Sequence, residues 1–276
     1  ACLRCLVVAL TAIVLGLPLD VRGMAKEEKI DGNENLNDWA TSGEFTDKIK
    51  FNKNNPTLFI DGNVGNIELS GKIHEKDSGI GIINKSGTAT TQLSANDNSY
   101  QGDINITAGT IELIGDGVLR SGTYSGAIFV DSNGTMSFNT SANQTMSGAL
   151  TGTGNLLKAS SGTLTLTSNN AFTGTTTVNG GTLRMLNSSS GNAIGGADPA
   201  QNYIVGSGAI LEFNRTGGTS GINRFNLSGS GTFKTSGTQE IAQTSAGSTV
   251  AMGSGALFHV ESGSYRFGGG GLGDWS

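Results

Sequence analysis

The sequence has little of what usually stabilises or equips a globular protein. Its 276 residues include three prolines, two cysteines and 14% charged residues. Both cysteines, Cys2 and Cys5, lie in the first five residues, so the rest of the chain has neither disulfides nor thiolate metal ligands. With a net charge of −5, the chain lacks the basic surface that nucleic-acid binding needs, and we expect no nucleic-acid partner.

Apolar residues are also scarce, at 36% of the chain, whereas glycine is abundant, with 44 residues. This balance disfavours one thick hydrophobic core and favours many thin cores, each built by a repeated unit that buries a narrow apolar stripe. Disorder is the rival interpretation of a chain rich in Gly, Ser, Thr and Asn. The modest net charge and the regular spacing of apolar residues argue against it.

The N-terminus predicts a secretory signal peptide. Residues 6–19 form a fourteen-residue apolar run that follows Arg4, and small residues come shortly before Lys26. We expect cleavage after Ala25, so that the mature chain starts at Lys26. The run is short for a bilayer span, which needs about 20 residues, and an uncleaved anchor is the alternative. The chain starts with Ala rather than Met, which leaves open whether it is a fragment.

Short segments of alternating apolar and polar residues start near residue 57, as in Thr-Leu-Thr-Leu-Thr at 163–167. A period of two is typical of a strand with one buried face. We predict an irregular N-terminal cap over 26–56, a β region over 57–267 and a Gly-rich tail over 268–276.

Internal repeats run through the β region. Gly followed by a small residue recurs every 19 to 28 residues, and three longer blocks open alike at 69–71, 146–148 and 227–229. One such unit cannot bury its apolar face alone, but stacked coils can. The pattern predicts an all-β fold, a right-handed parallel β-helix of nine or ten coils and about 45 Å. The residues expected inside are Leu164, Leu166, Val178, Leu183 and Met185, with the intervening threonines facing solvent.

The middle block, 146–185, resembles the autotransporter-associated β-strand repeat of bacterial passenger proteins. The segments that carry the resemblance are 146–158, 161–166, 170–174 and 181–183. The first block keeps Lys85, Gly87-Thr88 and residues 98–102, and the third keeps only its ends. The repeat-motif positions are Gly162, Thr163, Leu164, Phe172, Gly174, Gly181, Thr182 and Leu183.

The resemblance implies a secreted or surface-displayed β-helical stalk whose repeat assists translocation and folding. It also implies that contact with the outer membrane comes only through a missing downstream region, because no C-terminal membrane β-barrel follows. We therefore expect either that the Gly-rich tail 268–276 is a truncated end or that the protein reaches the surface by another route.

Enzymes with β-helical folds cut polysaccharides with clustered carboxylates and basic residues. The candidates for such a cluster are Asp116, Arg120 and Asp131, although isolated Asp beside Gly or Ser is more often a turn residue. The two histidines, His74 and His259, are 185 residues apart and predict no metal site. We place His74 in a solvated loop and His259 on the outer face of a strand.

Three aromatic residues, Trp39, Trp275 and Tyr265, are candidates for stacking on sugars, with a role as caps of the coils as the alternative. Glycosylation triplets start at Asn105, Asn133, Asn139, Asn143 and Asn226, as an Asn/Ser/Thr-rich composition produces by chance. We expect a monomeric, non-enzymatic surface protein without a cofactor, which adheres to a surface polysaccharide or to another cell. The alternative is a β-helical carbohydrate-active enzyme.

Overall fold

The computed structural model describes most of the chain, and its regular structure is nearly all β-strand. The described residues are 27–36, 43–52, 56–61, 65–75, 80–168, 170–187, 201–216, 225–237, 240–243 and 249–267. The predicted signal peptide 1–25 with its boundary at Ala25 and Lys26, and the tail 268–276, lie outside these residues. Within them, no helical segment has the length and apolar character needed to cross a bilayer.

Twenty-seven strands follow one another in the described residues. The first nine are β1 Glu27–Ile30, β2 Asn33–Asn35, β3 Gly43–Phe45, β4 Lys48–Phe51, β5 Thr57–Asp61, β6 Ile67–Leu69, β7 Ile73–Glu75, β8 Ile82–Ser86 and β9 Thr90–Leu93. The next nine are β10 Asp103–Gly115, β11 Thr123–Tyr124, β12 Ile128–Thr140, β13 Gln144–Met146, β14 Leu150–Gly152, β15 Asn155–Lys158, β16 Thr163–Leu166, β17 Ala171–Phe172 and β18 Thr175–Val178. The last nine are β19 Thr182–Asn187, β20 Gln201–Val205, β21 Ile210–Arg215, β22 Phe225–Gly229, β23 Thr232–Gly237, β24 Glu240–Gln243, β25 Val250–Met252, β26 Leu257–Val260 and β27 Ser264–Phe267.

These strands pair in parallel with strands of the next coil, so the chain forms a parallel β-helix. The longest path of paired strands, which we call the long column, runs β2-β5-β8-β10-β12-β15-β18-β20-β22-β25. Its two 13-residue strands each pair with two strands of a neighbouring coil, β10 with β8 and β9 and β12 with β14 and β15. A second column runs β11-β13-β16-β19-β21-β23-β26. From β5 to β25 the long column contains nine strands separated by eight turns of chain. Eight spacings of about 4.8 Å make this part about 38 Å long, close to the predicted rod.

The interior is a set of in-register apolar ladders. Leu58, Ile83, Ile104, Ile128 and Leu150 occupy successive levels of one ladder, and each is at most 4% exposed. Each coil therefore contributes only a few side chains, which explains how a chain with so few apolar residues builds a continuous core. Aromatic rings fill the interior toward the C-terminal coils, where the ring centroids of Phe213 and Phe233 lie 5.1 Å apart.

The five residues predicted to point inward are all buried, which confirms that prediction. They are Leu164, Leu166, Val178, Leu183 and Met185, each at most 3% exposed. The two Gly-Thr-Leu copies are one coil apart, because Leu164 pairs in register with Leu183. Thr163 and Thr182 pair beside them on the partly exposed outer face.

The start of the β-helix differs from the predicted irregular cap over 26–56. Strands β1 to β4 lie in this segment, and β1 and β2 already pair in parallel with β4 and β5. Its many charged side chains concealed the strand pattern, although Ile30, Ile49 and Phe51 are completely buried. The described part of the β-helix therefore begins at Glu27.

One corner of the helix is a column of glycines. A β-carbon would lie 1.8 Å from the Gly81 carbonyl oxygen if added at Gly102, and 2.2 Å from the Gly102 oxygen if added at Gly126. At Gly148 it would lie 1.9 Å from the Gly126 oxygen. Successive coils thus approach at this corner more closely than any other residue permits.

We expect Gly148→Ala to destabilise the protein by about 1–3 kcal/mol, because its methyl group would displace the backbone of the coil below. Denaturant unfolding of the full chain measures this change. Gly32→Ala is the matched control, since nothing lies within 4 Å of a β-carbon there, and its effect should stay within about 1 kcal/mol. Equal stability of the two variants would contradict close coil contact at this corner.

Candidate functional site in the repeat turns

The structure does not join the three catalytic candidates into one constellation. Asp116 Oδ1 accepts a hydrogen bond from the Ser141 hydroxyl, and Asp131 Oδ1 accepts the backbone N–H of its neighbour Ser132 at 2.7 Å. Arg120, which lies in the short 3-10 turn Arg120–Gly122, donates from Nη1 to the Ser125 hydroxyl at 3.2 Å. Arg120 and Asp131 therefore support their own turns and Asp116 contacts the adjacent coil, and no hydrogen bond or ion pair among the described residues links the three.

The prediction that His74 lies in a solvated loop, which was based on the charged run around it, is wrong. It lies on β7, where its side chain is 17% exposed and its Nε2 is 3.2 Å from Glu27 Oε2. Lys50 Nζ, on the coil between Glu27 and His74, lies 3.3 Å from Glu27 Oε1. Burial lowers the pKa of His74 against the opposing pull of Glu27. His259 is exposed on β26, as predicted.

Within the described segments, no group of three or more His, Cys, Asp or Glu side chains is arranged to hold a metal ion. Of the sugar-stacking candidates, Trp39 and Trp275 lie outside the described residues, as does the side chain of Tyr265 on β27. Two of the glycosylation asparagines accept backbone N–H groups of the following coil. Asn143 Oδ1 accepts the Thr163 N–H at 2.8 Å, and Asn226 Oδ1 accepts the Thr249 N–H at 2.9 Å, so each bridges two coils.

The most unusual polar groups in the molecule are two lysines inside the helix. Lys85 and Lys158 are each 1% exposed. Lys158 lies in register between Phe138 and Val178, which are also buried. The sequence carried a signal for this arrangement, because in Leu-Leu-Lys the alternation that points Leu156 inward also points Lys158 inward.

Each buried lysine donates hydrogen bonds to three backbone carbonyls. Lys85 Nζ reaches Ser86 O at 2.6 Å, Gly87 O at 3.0 Å and, one coil further, Ala108 O at 3.4 Å. The residue two positions after the lysine, Gly87, has φ +68°, and this left-handed conformation lets the chain bend around the ammonium group.

The second site has the same construction. Lys158 Nζ donates to the carbonyls of the next two residues, Ala159 and Ser160, and to Gly180 O on the following coil at 3.2 Å. Ser160 takes the left-handed position with φ +60°. Both lysines thus connect a tight turn to the coil above, and a β-carbon at Gly109 would lie only 2.7 Å from Lys85 Nζ.

The three carbonyls around each lysine Nζ form a cage, and the electrostatics of the two cages differ in one respect. Burial lowers the pKa of Lys158 to about 8, and no carboxylate offsets this effect. Burial also lowers the pKa of Lys85, but the nearby Asp61 carboxylate acts in the opposite direction. Charge-assisted hydrogen bonds to three carbonyls are what make an ammonium group tolerable in this interior.

A buried asparagine is the second element that the two lysine-containing repeat units share. Asn98 Oδ1 accepts the Ile73 N–H of the preceding coil at 2.7 Å, and Asn170 Oδ1 accepts the Leu150 N–H at 2.8 Å. Their amide nitrogens donate to nearby carbonyls, Ala95 O and Ser168 O respectively. Each asparagine therefore satisfies backbone groups where the chain leaves a strand and no ladder partner is present.

An aromatic residue and a glycine complete each unit. Tyr100 and Phe172, two residues after the asparagines, are 1% exposed. Gly174 comes two residues after Phe172, and a β-carbon added at Gly174 would lie 1.4 Å from Gly154 O. Gly181 has φ +61°, and a β-carbon on it would lie 2.3 Å from the oxygen of Gly162. The motif residues thus build the coil: most of them face inward or contact backbone, while Thr163 and Thr182 pair on the outer face.

Comparison with known proteins agrees with this geometry. The model of the passenger-associated-transport-repeat matches residues 83–113 and 156–185. Each match includes one buried lysine, one asparagine corner and one closing Gly-Thr. No curated protein and no solved structure matches the chain significantly.

We expect Lys158→Met to destabilise the protein by about 2–3 kcal/mol, because three buried carbonyls lose their donor although the side-chain volume is kept. Denaturant unfolding gives the value. The control is Lys234→Met, since Lys234 Nζ is on the outer face, 2.7 Å from exposed Glu261. It is also 3.8 Å from Glu212, which keeps its closer Arg184 partner, so the change should cost under about 1 kcal/mol. An unchanged midpoint for Lys158→Met would show that the cage does not stabilise the turn.

The stability contributed by Lys158 should depend on pH. Its pKa is about 8 when folded and near 10.5 when unfolded, so above pH 8 the unfolded state binds more protons. The unfolding free energy of the wild type, minus that of Lys158→Met, should therefore rise by about 1 kcal/mol per pH unit between pH 8 and 9.5. Denaturant titrations at several pH values test this. A flat difference would mean that the carbonyls hold the ammonium at its ordinary pKa.

Proposed function

We propose that this chain, which carries two passenger-associated transport repeats, is a secreted or surface-displayed passenger-type protein with a structural and adhesive role. The fold is a parallel β-helix, and the repeat is that of passenger proteins. The observation that carries the proposal is the use of the motif residues. Lys158, Asn170, Phe172 and Gly174 all serve contacts between coils.

The repeats assist folding during export in this proposal. Lys85 and Lys158 each bond to a carbonyl more than 20 residues later in the chain, on the coil that follows. Asn170 accepts an N–H from a residue 20 positions earlier. A coil that has formed therefore offers both ladder strands and side-chain donors to the next one, and folding can propagate from coil to coil.

Adhesion is assigned to the outer faces, which the repeat leaves free. The outward positions of β16, β18 and β19 are mainly threonines, and an Asn105–Asn84 amide pair lies on the outer face of β10 and β8. Such faces offer many hydroxyl and amide groups, and the outward Arg184 of β19 is neutralised by its ion pair with Glu212. A surface polysaccharide or the surface of another cell is the partner that suits them.

The non-enzymatic part of the proposal is supported by the local roles of Asp116, Arg120 and Asp131. Their partners are Ser141, Ser125 and Ser132, which lie in the same turn or in the adjacent coil. A panel of neutral and acidic polysaccharides incubated with the full chain tests the alternative, a β-helical carbohydrate-active enzyme. Cleavage that is abolished by Asp116→Asn or Asp131→Asn would replace the proposal.

The export and adhesion roles make a joint prediction in cells that express the full-length gene. Deleting the gene should reduce attachment, and combining Lys85→Met with Lys158→Met should lower the amount of folded protein at the surface severalfold, because propagation between coils is weakened. Protease accessibility on intact cells measures display, and a washing assay measures attachment.

The control for this prediction is Lys234→Met, which should leave display at the wild-type level. Attachment that is unaffected by gene deletion would refute the adhesive role. Wild-type display of the double lysine variant would refute the role of the repeats in export.

A further inference from the structure

Two phenylalanines project from the outer face of the long column. Phe59 on β5 is 37% exposed and Phe129 on β12 is 41% exposed, whereas most aromatic side chains of the described residues are buried. They belong to one register: Phe59 pairs with Asn84, Asn84 with Asn105, and Asn105 with Phe129. The four side chains form a straight row along the helix axis, which we call the Phe-Asn row.

The asparagines in the middle of the row bind each other. Asn105 Nδ2 donates to Asn84 Oδ1 at 2.8 Å. This bond fixes both amides in the plane of the ladder and leaves Asn84 Nδ2 as a donor and Asn105 Oδ1 as an acceptor. The row thus has an apolar ring at each end and oriented amide groups between them.

The flanks of the row are acidic or uncharged. Asp61 and Asp131 come two residues after the phenylalanines, and Asp103 comes two residues before Asn105. No Lys or Arg occupies the outward positions two residues before or after the four members of the row. An anionic ligand would be repelled here, whereas sugar hydroxyls can donate to carboxylates and amides.

We propose that the Phe-Asn row is a binding site for a neutral polysaccharide whose chain lies along the β-helix axis. Phe59 and Phe129 are three levels apart, about 14 Å at the usual strand spacing. A pyranose ring in an extended glycan is about as long as one such spacing, so two rings stack on the phenylalanines. The intervening sugars then bond to Asn84 and Asn105. The exposed rings supply the apolar contact and the amides fix the register.

This inference rests on the proposed adhesive function and names the site that would serve it. The repeat motif does not determine these side chains, because none of the four stands at a motif position. The competing occupant of an exposed aromatic row is a second copy of this chain. The uncharged amides between the rings favour the glycan over that alternative.

Affinity electrophoresis of the purified full chain tests the site. The gels contain hydroxyethylcellulose, xyloglucan or galactomannan as neutral probes and polygalacturonate as the anionic probe. We expect at least one neutral polysaccharide, but not polygalacturonate, to retard the wild type. Phe59→Ala and Phe129→Ala should each weaken that binding about tenfold.

Ile204→Ala is the matched control, because Ile204 on β20 is 42% exposed on the same sheet but outside the row, and its removal should leave retardation unchanged. Thermal unfolding checks that the Phe variants remain folded. The proposal is overturned if no neutral polysaccharide retards the chain, or if the Phe variants bind like the wild type. It is equally overturned if sedimentation shows a wild-type dimer that the Phe variants dissociate.

The outcomes also separate this site from the adhesive function itself. If cells that express the Phe59→Ala, Phe129→Ala variant attach normally while gene deletion abolishes attachment, the adhesive function stands and the Phe-Asn row is not its site. If the purified chain binds a glucan through the row while gene deletion leaves attachment intact, the site stands and the adhesive function fails.

Discussion

The parallel backbone ladder between successive coils is the interaction on which the rest of this structure depends. Each coil must return the chain one strand spacing above its starting point, in a register that places like residues over like. The ladder satisfies the backbone along the strands but leaves N–H and C=O groups unpaired at the corners. Burying these groups without partners would cost several kcal/mol per coil, so the corners determine which side chains the chain can use.

The repeat signature is a solution to this corner problem. A buried asparagine accepts the N–H of the coil before it, and a buried lysine donates to carbonyls of its own turn and of the coil after it. Glycine stands where the coils come so close that a β-carbon would overlap a carbonyl. Lysine in an apolar interior is costly by itself, and three convergent carbonyls offset part of its desolvation.

The division between inner and outer positions explains how one scaffold can acquire different surfaces. The residues that hold Lys158 and Asn170 in place face the interior, so the outer columns can change without disturbing the ladder. The outward threonines of β16 and β18 and the Phe-Asn row are examples of such columns. In this arrangement the inward side chains specify folding and the outward side chains specify recognition, so either set can change without the other.

The sequence by itself determined the features that depend on local interactions along the chain. Alternation is a local property, so the strands, the inward side chains such as Leu164 and Val178, and the one-coil spacing of the Gly-Thr-Leu pairs were all readable from the chain. The same alternation also carries a signal for the buried Lys158, which stands two positions after the inward Leu156. Charges concealed the first strands, where Ile49 and Phe51 carry the inward pattern between lysines. Only the tertiary structure decided which residues are neighbours across coils, because register depends on loop lengths that differ from one turn to the next. It therefore decided the surroundings of His74, the separation of the candidate catalytic residues and the alignment of Phe59 with Phe129.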